Sequence, residues 1–326
     1  MTQYIIGVDL GGTRLRAARF DRDLNLLVRD EVLTLAAEGP PATIERMKAL
    51  IRSVLPSQGE VAGIGISAPG PSNPFTGIVV APPNLPGWHN VPIVQILRDA
   101  FNLPVYLGND ANVAALAEVV RGAGQGTSDA IFITVSTGIG GGIIINGRML
   151  LGSTGLGAEV GHIVMIVDGQ PSTLEKEAAG PALARRARSL IESGRDSQIV
   201  DMVDGDLSKI AGATVGTAAQ NGDALALEVV QRAGRILGMG MTSLLHIFNP
   251  EILIFGGGVS QLGELLFAPM RAAIEECAID RSYWAELRIV PAGLGENVSL
   301  VGAAALVITH GGVESIGAVK EKLQDS

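Results

Sequence analysis

Apolar residues along the chain fall into short runs that alternate with glycine-rich or polar turns. Continuous apolar runs at 4–9, 61–68 and 251–255 are typical of buried strands. Apolar residues at helical spacing, such as Ile44 and Ile51, predict helices between such runs. This alternation predicts an α/β fold with largely parallel sheets, in which ligands bind at the carboxyl ends of the strands.

The same patterns predict the bounds of the remaining elements. Further strands are predicted at 15–20, 26–33, 104–110, 130–136, 143–149 and 287–290. Helices are predicted at 41–55, 92–101, 111–120, 175–193, 223–248, 260–277 and 297–309. The strand–turn–strand plan of the N-terminus returns at Asp129, which indicates a faint internal duplication and two related α/β lobes.

Composition narrows the class of protein. The chain has 326 residues, of which 47% are hydrophobic and 17% charged, so an intrinsically disordered chain is excluded. The formal net charge of −9 argues against a nucleic-acid surface. The N-terminal sequence shows no signal peptide, and the uncharged stretch 130–147 is interrupted by adjacent glycines, so we expect no membrane segment.

The chain contains a single cysteine, Cys277, in a predicted helix. One cysteine excludes an internal disulfide framework and a zinc site built from several thiolates. It fits a reducing cytoplasm, where we expect the protein to be located. We interpret Cys277 as a small core residue.

Three glycine clusters each follow an apolar strand, at 11–12, 138–142 and 256–258. Glycine lets the backbone approach a ligand closely, and successive N–H groups form a site for an anion. One such cluster is more often a tight hairpin, but three at strand ends favour a nucleotide site. The chain lacks the P-loop motif, and its first two clusters lead into a second strand rather than a helix, unlike the Rossmann fingerprint.

Three segments carry a family resemblance: PNLPGW at 83–88, GNDANVAALAE at 108–118 and TGIGGGIIINGRMLLGSTGLGAEVGH at 137–162. Together with the glycine turns they resemble the ROK family of repressors and sugar kinases, from Gly7 to about Leu306. The resemblance implies two RNase-H-like lobes of the actin/hexokinase type with a central cleft. The smaller lobe would contain 1–112 and a C-terminal helix at about 297–326, and the larger lobe 113–296.

The resemblance also implies the activity, a glucokinase-like transfer of phosphate from ATP to a hexose with Mg²⁺ in a cytoplasmic homodimer. Glucose is the first candidate, giving glucose 6-phosphate; N-acetylmannosamine, fructose and other hexoses remain open, because they differ by few groups. The family's catalytic base falls on Asp110, which would accept the proton of the sugar hydroxyl. From its position alone, Asp110 is equally well explained as a helix N-cap.

The sugar-binding residues implied by the family are Asn84, Asn109, Asp110, Glu159, His162 and Glu175. A lone histidine such as His162 is more often structural than functional. Glu175 has an equal alternative as a first-turn helix glutamate favoured by the helix dipole.

The ATP-binding residues implied by the family are Asp9, Gly11, Gly12, Thr13, Thr137, Gly138, Gly140, Gly256, Gly257 and Gly258. A carboxylate beside phosphates is repulsive unless a cation intervenes, so we expect Mg²⁺ at Asp9, directly or through water. The alternative for Asp9 is a solvated turn aspartate.

The sequence departs from the family at 163–174 (IVMIVDGQPSTL), where many members carry a cysteine cluster that holds structural zinc with the histidine. No cysteine is present here, so we expect no zinc site. The loop that presents Glu175 would then be stiffened by packing alone.

Two other functions remain open. A sugar-responsive ROK transcriptional regulator would need a DNA-binding domain ahead of the first strand. Because that strand begins at about Tyr4, we expect none. An actin-like ATPase is disfavoured by Asn109-Asp110 together with Glu159 and His162.

Overall fold

The computed structural model describes residues 3–318, which form two compact units. Unit 1 comprises the described residues of Met1–Phe132, Gly142–Ala158 and Ala292–Ser326, and unit 2 comprises Ile133–Gly141 and Glu159–Pro291. The last part of the expected C-terminal helix, 319–326, lies outside the described residues. The lobe division expected at about 112 and 296 stays a prediction.

The chain contains short strands and helices in alternation, as the hydrophobic pattern predicts. The strands are β1 (Gln3–Leu10), β2 (Arg14–Phe20), β3 (Leu26–Leu33), β4 (Glu60–Ala68), β5 (Ser72–Asn73), β6 (Ile78–Val79), β7 (Val105–Asn109), β8 (Ala130–Val135), β9 (Ile139–Ile145), β10 (Arg148–Met149), β11 (Val164–Val167), β12 (Gln170–Thr173), β13 (Ile252–Gly256) and β14 (Arg288–Pro291). The α-helices are α1 (Gly39–Val54), α2 (Ile93–Phe101), α3 (Asp110–Arg121), α4 (Leu174–Ala178), α5 (Gly180–Glu192), α6 (Ile199–Met202), α7 (Gly212–Gln220), α8 (Ala224–Phe248), α9 (Glu264–Cys277) and α10 (Val298–Ile308).

Both five-stranded sheets are mixed rather than largely parallel. Their strand orders are β3-β2-β1-β4-β7 and β10-β9-β8-β13-β14. In the first sheet β1, β2 and β3 are antiparallel neighbours, whereas β4 pairs in parallel with β1 and β7. The expectation of largely parallel sheets is wrong for the hairpins, because a turn of a few residues can join only antiparallel strands.

In unit 1, helices cover both faces of the first sheet. Helix α1 packs on β2 and β3, and helix α10 packs on β1, β4 and β7. The fully buried Ile6, Val8 and Met47 belong to one core cluster, and each contributes about 2 kcal/mol by leaving water. Two strand glycines, Gly7 and Gly65, let the backbone of α10 approach closely. A Cβ at Gly65, for example, would lie 1.7 Å from the carbonyl oxygen of Ala303.

In unit 2, the long helix α8 is the centre of a helical layer. It contacts α4, α5, α7 and α9, and Leu237, Met241 and Leu245 are fully buried in it. A Cβ at Gly238 would lie only 2.3 Å from the carbonyl oxygen of Met270, so glycine is required there for the close packing of α9. Within the described residues, none of the helices combines the length and apolar character needed to span a membrane.

Several predicted bounds are wrong for identifiable reasons. The helix expected at 175–193 is two helices, α4 and α5, because Pro181 suits the first turn of a new helix and not a helix interior. The strand expected from 143 begins at Ile139, because the glycines continue the extended conformation. Cys277 is exposed at the end of α9, so its interpretation as a core residue is wrong.

Candidate active site

The first glycine turn joins β1 to β2 and lies in unit 1. Strand β1 ends beside Asp9, whose side chain is buried, with 7% of the residue exposed. The Gly11 N–H donates to the carbonyl of Arg14 over 3.0 Å and closes the turn. A Cβ at Gly12 would lie 2.8 Å from the carbonyl oxygen of Asn84, so the predicted sugar contact Asn84 packs against the predicted phosphate turn.

Asp9 is paired with a neighbouring arginine on β2. The Arg16 Nη2 lies 2.6 Å from Oδ2 of Asp9, and the Arg16 Nε donates to the same oxygen over 2.9 Å. Burial raises the pKa of the Asp9 carboxyl, and the positive charge of Arg16 opposes this rise without cancelling it. Asp9 is therefore not a solvated turn aspartate.

The surroundings of Asp9 form a charged cavity of about 680 Å³. Besides Asp9 and the turn, the cavity is lined by Arg14, Arg16, Arg29, Glu31 and Glu296. Arg29 donates to Oδ1 of Asn297, and Arg16 donates to the carbonyl of Glu296, each over 2.9 Å. These bonds fix the guanidinium groups at the cavity, where Arg16 also pairs with Asp9, and Arg29 pairs with Glu31.

The donor set at Asp9 fits Mg²⁺ held mainly by a nucleotide. Mg²⁺ usually keeps several waters and takes one or two carboxylates plus substrate phosphates. Both bonds from Arg16 end on Oδ2, and no group of three His, Cys, Asp or Glu residues in 3–318 could hold a metal ion. A single carboxylate beside a glycine turn matches magnesium held partly by phosphates better than a metal bound by protein ligands alone.

Asp110 begins α3, directly after β7. The N-cap of this helix is Asn109, whose Oδ1 accepts from the Ala111 N–H over 3.0 Å. Oδ1 of Asp110 accepts from the same N–H over 2.8 Å, and the side chain is exposed. Asn109 and Asp110 therefore share this N–H: Asn109 holds the N-cap position, and Asp110 is an exposed first-turn residue at the positive end of the helix dipole.

Glu159 and His162 are brought together by a single 3-10 turn. The His162 N–H donates to the carbonyl of Glu159 over 3.1 Å, and the buried Val160 between them anchors the turn. Residues three apart in a 3-10 helix lie on the same side, and both Glu159 and His162 are exposed. His162 is thus not a core histidine, and the pair offers an acceptor and an imidazole to the solvent together.

Glu175 contacts the second glycine turn. Its Oε2 accepts from the Ile139 N–H over 2.8 Å, and a Cβ at Gly138 would lie 2.5 Å from this oxygen. Glu175 is also a first-turn residue of α4, so the structural alternative and the contact with the turn are both present. The structure brings together two residues that the sequence assigns to different ligands, Gly138 to ATP and Glu175 to the sugar.

A second cavity, of about 740 Å³, lies entirely within unit 2. Thr137 and Gly258 line it, as expected for nucleotide contacts, and α5 and α7 supply the other walls. Its lining is mostly apolar, with Ile210, Val259 and Leu262 among the contributors. An apolar cavity of this size with a few polar groups suits a nucleoside.

Sequence reasoning missed the contribution of the α5 and α7 walls. Gly212 and Gly216 lie four apart on α7, and a Cβ at Gly212 would lie 2.7 Å from the Cα of Gly180. Glycines four residues apart share one helix face, and this spacing was the available signal.

The neighbouring glycines of the third cluster, 256–258, have different structural roles. Gly257 has a φ of +88°, and a Cβ there would lie 2.4 Å from the carbonyl oxygen of Val135, so the backbone itself requires glycine. A Cβ at Gly258 would meet no atom within 4 Å, and this residue lines the cavity of unit 2. Gly256 is buried within β13, and Gly140 lies within β9.

Comparison with known protein families identifies the family of this chain, because residues 5–310 match the sequence model of the family described as "ROK family". The chain belongs to the ROK family. This ROK protein is 36% identical over 310 residues to the glucokinase of Thermotoga maritima, an alignment that covers 93% of this chain and 96% of the relative. The resemblance drawn from the sequence motifs is confirmed.

Solved structures of ROK proteins have the same fold. A ROK family glucokinase from Streptomyces griseus in complex with glucose and AMPPNP has a TM-score of 0.73 and 34% identity, covering 93% of this chain and 98% of that one. The ROK hexokinase from Thermus thermophilus has a TM-score of 0.75 and 32% identity, with coverages of 92% and 97%. The expected α/β class with RNase-H-like, actin/hexokinase-type topology is confirmed.

Proposed function

We propose that this ROK protein transfers the γ-phosphoryl group of ATP to a hexose, with glucose as the preferred substrate and glucose 6-phosphate as the product. The observation that carries the proposal is the similarity, at 34% identity over 93% of this chain, to a ROK glucokinase solved with glucose and AMPPNP. The apolar cavity of unit 2 supports the nucleotide part of the proposal, because its lining suits a base and ribose better than a chain of inorganic phosphates.

We assign Asp110 as the general base. A sugar hydroxyl is a poor nucleophile until its proton has an acceptor within hydrogen-bond reach. The exposed carboxylate of Asp110 can take that proton as the hydroxyl oxygen bonds to the γ-phosphorus and the bond to ADP breaks. Because the side chain of Asn109 also accepts from the Ala111 N–H, the helix keeps its cap while Asp110 exchanges a proton.

Magnesium, when bound, neutralises charge on the transferring phosphoryl group. Asp9 is the residue of this chain that would hold it, directly or through water. Gly12 and Thr13 would donate N–H and hydroxyl groups to phosphate oxygens, and Gly11, whose N–H donates to Arg14, would let the backbone of the turn approach the phosphates closely. Arg16 holds the Asp9 carboxylate in one orientation through two bonds to Oδ2.

The remaining site assignments are also proposals. The nucleotide would contact Thr137, Gly138, Gly140, Gly256, Gly257 and Gly258. The sugar would contact Asn84, Asn109, Asp110, Glu159, His162 and Glu175. Carboxylate acceptors and an imidazole suit vicinal hydroxyl groups, which donate and accept hydrogen bonds.

A coupled assay of ADP release across a panel of sugars tests the proposal. The panel contains glucose, N-acetylmannosamine, fructose, mannose and allose, each with ATP and with polyphosphate as the donor. We expect the highest kcat/KM with glucose and ATP. Turnover of ATP that no sugar changes would contradict the proposal and favour an actin-like ATPase.

We also propose a homodimer and a cytoplasmic location, which the family resemblance and the single cysteine support. Light scattering coupled to size-exclusion chromatography tests the dimer. A mass equal to one chain of 33.7 kDa at assay concentrations would contradict it.

A further inference from the structure

The segment that replaces the zinc loop of other family members is a β-hairpin in unit 2. Strands β11 and β12 pair around Asp168 and Gly169, which have φ values of +50° and +76°. Two residues with positive φ are typical of a tight type I′ turn. Val164 and Ile166 on this hairpin are exposed by 72% and 64%, so little apolar surface is buried there. The expectation that packing alone stiffens this segment is therefore wrong.

The hairpin joins two parts of the proposed sugar site. It begins directly after the turn that carries His162 and ends at α4, which carries Glu175. Helix α4 has only five residues and cannot be stable alone, because helices of fewer than about 12 residues are marginal in water. Its N-cap bond, from the Lys176 N–H to Oγ1 of Thr173, is long at 3.3 Å. The position of Glu175 therefore depends on contacts that α4 makes outside itself.

Arg232 on α8 provides the polar contacts. Its Nη1 and Nη2 each lie 3.1 Å from Oε2 of Glu177 on α4, and Nη2 lies 3.1 Å from Oδ2 of Asp168 at the hairpin tip. The other oxygen of Glu177, Oε1, accepts from Oγ of Ser172 on β12 over 2.7 Å. One guanidinium thus connects α8 with α4 and with the tip of the hairpin.

Burial decides which of these contacts matters more. The side chains of Arg232 and Glu177 are 25% and 22% exposed, whereas that of Asp168 is 75% exposed. An exposed pair contributes little because water screens it, while a half-buried pair with satisfied oxygens is stronger. The pair of Arg232 with Glu177 is therefore the main polar anchor of α4, and Asp168 is an accessory.

A second, apolar anchor lies on the same helix. Leu174 is fully buried, and a Cβ at Gly240 would lie 2.9 Å from its Cδ1, so α4 is seated directly on the backbone of α8 there. Arg232 and Gly240 are eight residues apart on α8, about 12 Å along the helix axis. Glu175 lies in sequence between the two residues of α4 that these anchors hold, Leu174 and Glu177.

We propose that Arg232 is a positioning residue for sugar recognition, which acts through its ion pair with Glu177. By holding Glu177, it fixes the orientation of α4 and so keeps Oε2 of Glu175 on the Ile139 N–H. The proposal rests on the proposed function in one respect, the role of Glu175 as a sugar contact. It predicts that weakening the anchor impairs sugar binding more than ATP binding.

The test compares Arg232→Met with Arg235→Met on the same helix. Arg235 makes two bonds to Glu276, of 2.6 and 2.8 Å, but both side chains are about half exposed, so this pair is a matched control. We expect Arg232→Met to raise the KM for the sugar about tenfold, because a shift of about 1 Å in a positioned group costs that much or more. The KM for ATP and the kcat should change less than about twofold, as should every constant of Arg235→Met.

Hydrogen exchange followed by mass spectrometry provides a readout that does not require activity. Peptides covering 163–178 should exchange faster in Arg232→Met than in the wild type, and no faster in Arg235→Met. Because this measurement works on a protein that phosphorylates no sugar, failure of the proposed function does not prevent the test of the anchor. Equal exchange in Arg232→Met and Arg235→Met would overturn the proposal, as would faster exchange with an unchanged KM for the sugar.

Glu177→Gln covers the possibility that Arg232→Met does not fold. It keeps the shape of the side chain and the bond from Ser172 but removes the charge. We expect a smaller rise in the KM for the sugar, about threefold, since a neutral acceptor holds a guanidinium less strongly. A Glu177→Gln variant identical to the wild type in both hydrogen exchange and the KM for the sugar would overturn the proposal. An Arg232→Lys variant that restores neither the exchange protection nor the KM for the sugar would support a need for the planar guanidinium.

Discussion

The cavity at the Asp9 turn in unit 1 and the cavity between α5 and α7 in unit 2 have similar volumes, about 680 and 740 Å³. Their linings differ. The first contains three arginines and three carboxylates, and its central aspartate is buried and paired. The second is lined mainly by small and aliphatic residues, with a few side-chain amides and hydroxyl groups and two arginines, Arg185 and Arg188, but no carboxylate.

The comparison shows that glycine turns and side chains carry different information. Both cavities are bordered by a glycine turn after a strand, and the turns alone predict the same ligand chemistry for each. The surrounding side chains separate them, because arginines beside a carboxylate suit phosphate and magnesium, whereas an apolar wall suits a base. The predictions below test this division of chemistry.

The largest effect is expected at Asp110, which lines neither cavity. Asp110→Asn should lower kcat about 10³-fold, because the sugar hydroxyl loses its proton acceptor. The Kd for ATP, measured by calorimetry, should stay within about twofold, because no nucleotide contact is removed. Asp99→Asn, an exposed change on α2 of the same unit, is the control. Near-normal turnover of Asp110→Asn would refute its assignment as the base.

Filling the apolar cavity should weaken ATP binding specifically. Ala213 is exposed on α7 and lines this cavity, so Ala213→Trp would occupy space proposed for the nucleoside. We expect the KM for ATP to rise roughly 30-fold, equal to about 2 kcal/mol, with the KM for the sugar unchanged.

The control for this prediction is Ala272→Trp, an equally large change at an exposed position of α9 that lines neither cavity. If Ala213→Trp leaves the KM for ATP unchanged, the nucleoside does not bind in this cavity, and the division of chemistry drawn above is wrong.

Adjacent glycines in the third cluster should respond in opposite ways. Gly257→Ala places a Cβ 2.4 Å from a carbonyl oxygen at a positive φ, so we expect a loss of about 2 kcal/mol or more in the free energy of unfolding. Gly258→Ala should cost less than about 0.5 kcal/mol, because its Cβ would meet open space. Thermal unfolding of the two variants checks this contrast, and equal melting temperatures would disprove it.

The smallest effect concerns the pH dependence of stability at Asp9. Burial raises the folded-state pKa of this carboxyl above its unfolded-state value. The stability that the group contributes is therefore fully present below its unfolded-state pKa and is lost as the pH rises through its folded-state pKa. Asp9→Asn removes this titration.

The melting temperature of Asp9→Asn relative to the wild type should therefore increase as the pH rises across the acidic range. Asp99→Asn, measured beside it, separates this effect from the general response of an exposed carboxyl. A difference for Asp9→Asn that falls with rising pH would contradict the direction of the pKa shift.

The elements that the sequence predicts well are those in which the pattern of apolar residues is strong and unambiguous. β1, β4, α8 and α10 form within one or two residues of their expected bounds. Helix α7 was not predicted, because Gly212, Gly216 and the threonines between and after them have poor helix propensity. Its helical state depends on packing against α5 and α8, which a local pattern does not contain.

The hairpin of β11 and β12 was missed although its signal was present. Asp168-Gly169 between two strand-like runs is a strong hairpin signal. Arg232 could not be found from sequence, because it lies 55 residues from Glu177. Residues so far apart along the chain meet only through the fold.

The close seating of α10 on the first sheet has a consequence for biosynthesis. Gly65 and Gly7 are in contact with the backbone of a helix that begins at Val298, so ribosomes must translate every residue from Gly65 to α10 before that face of the sheet can be covered. Elongation proceeds at about 5–20 residues per second, which leaves the nascent strands β1 and β4 uncovered for roughly ten seconds or more. Chaperones that bind exposed apolar strands can act during this interval. Codon changes in the messenger RNA that slow translation before Val298 should lower the yield of native protein.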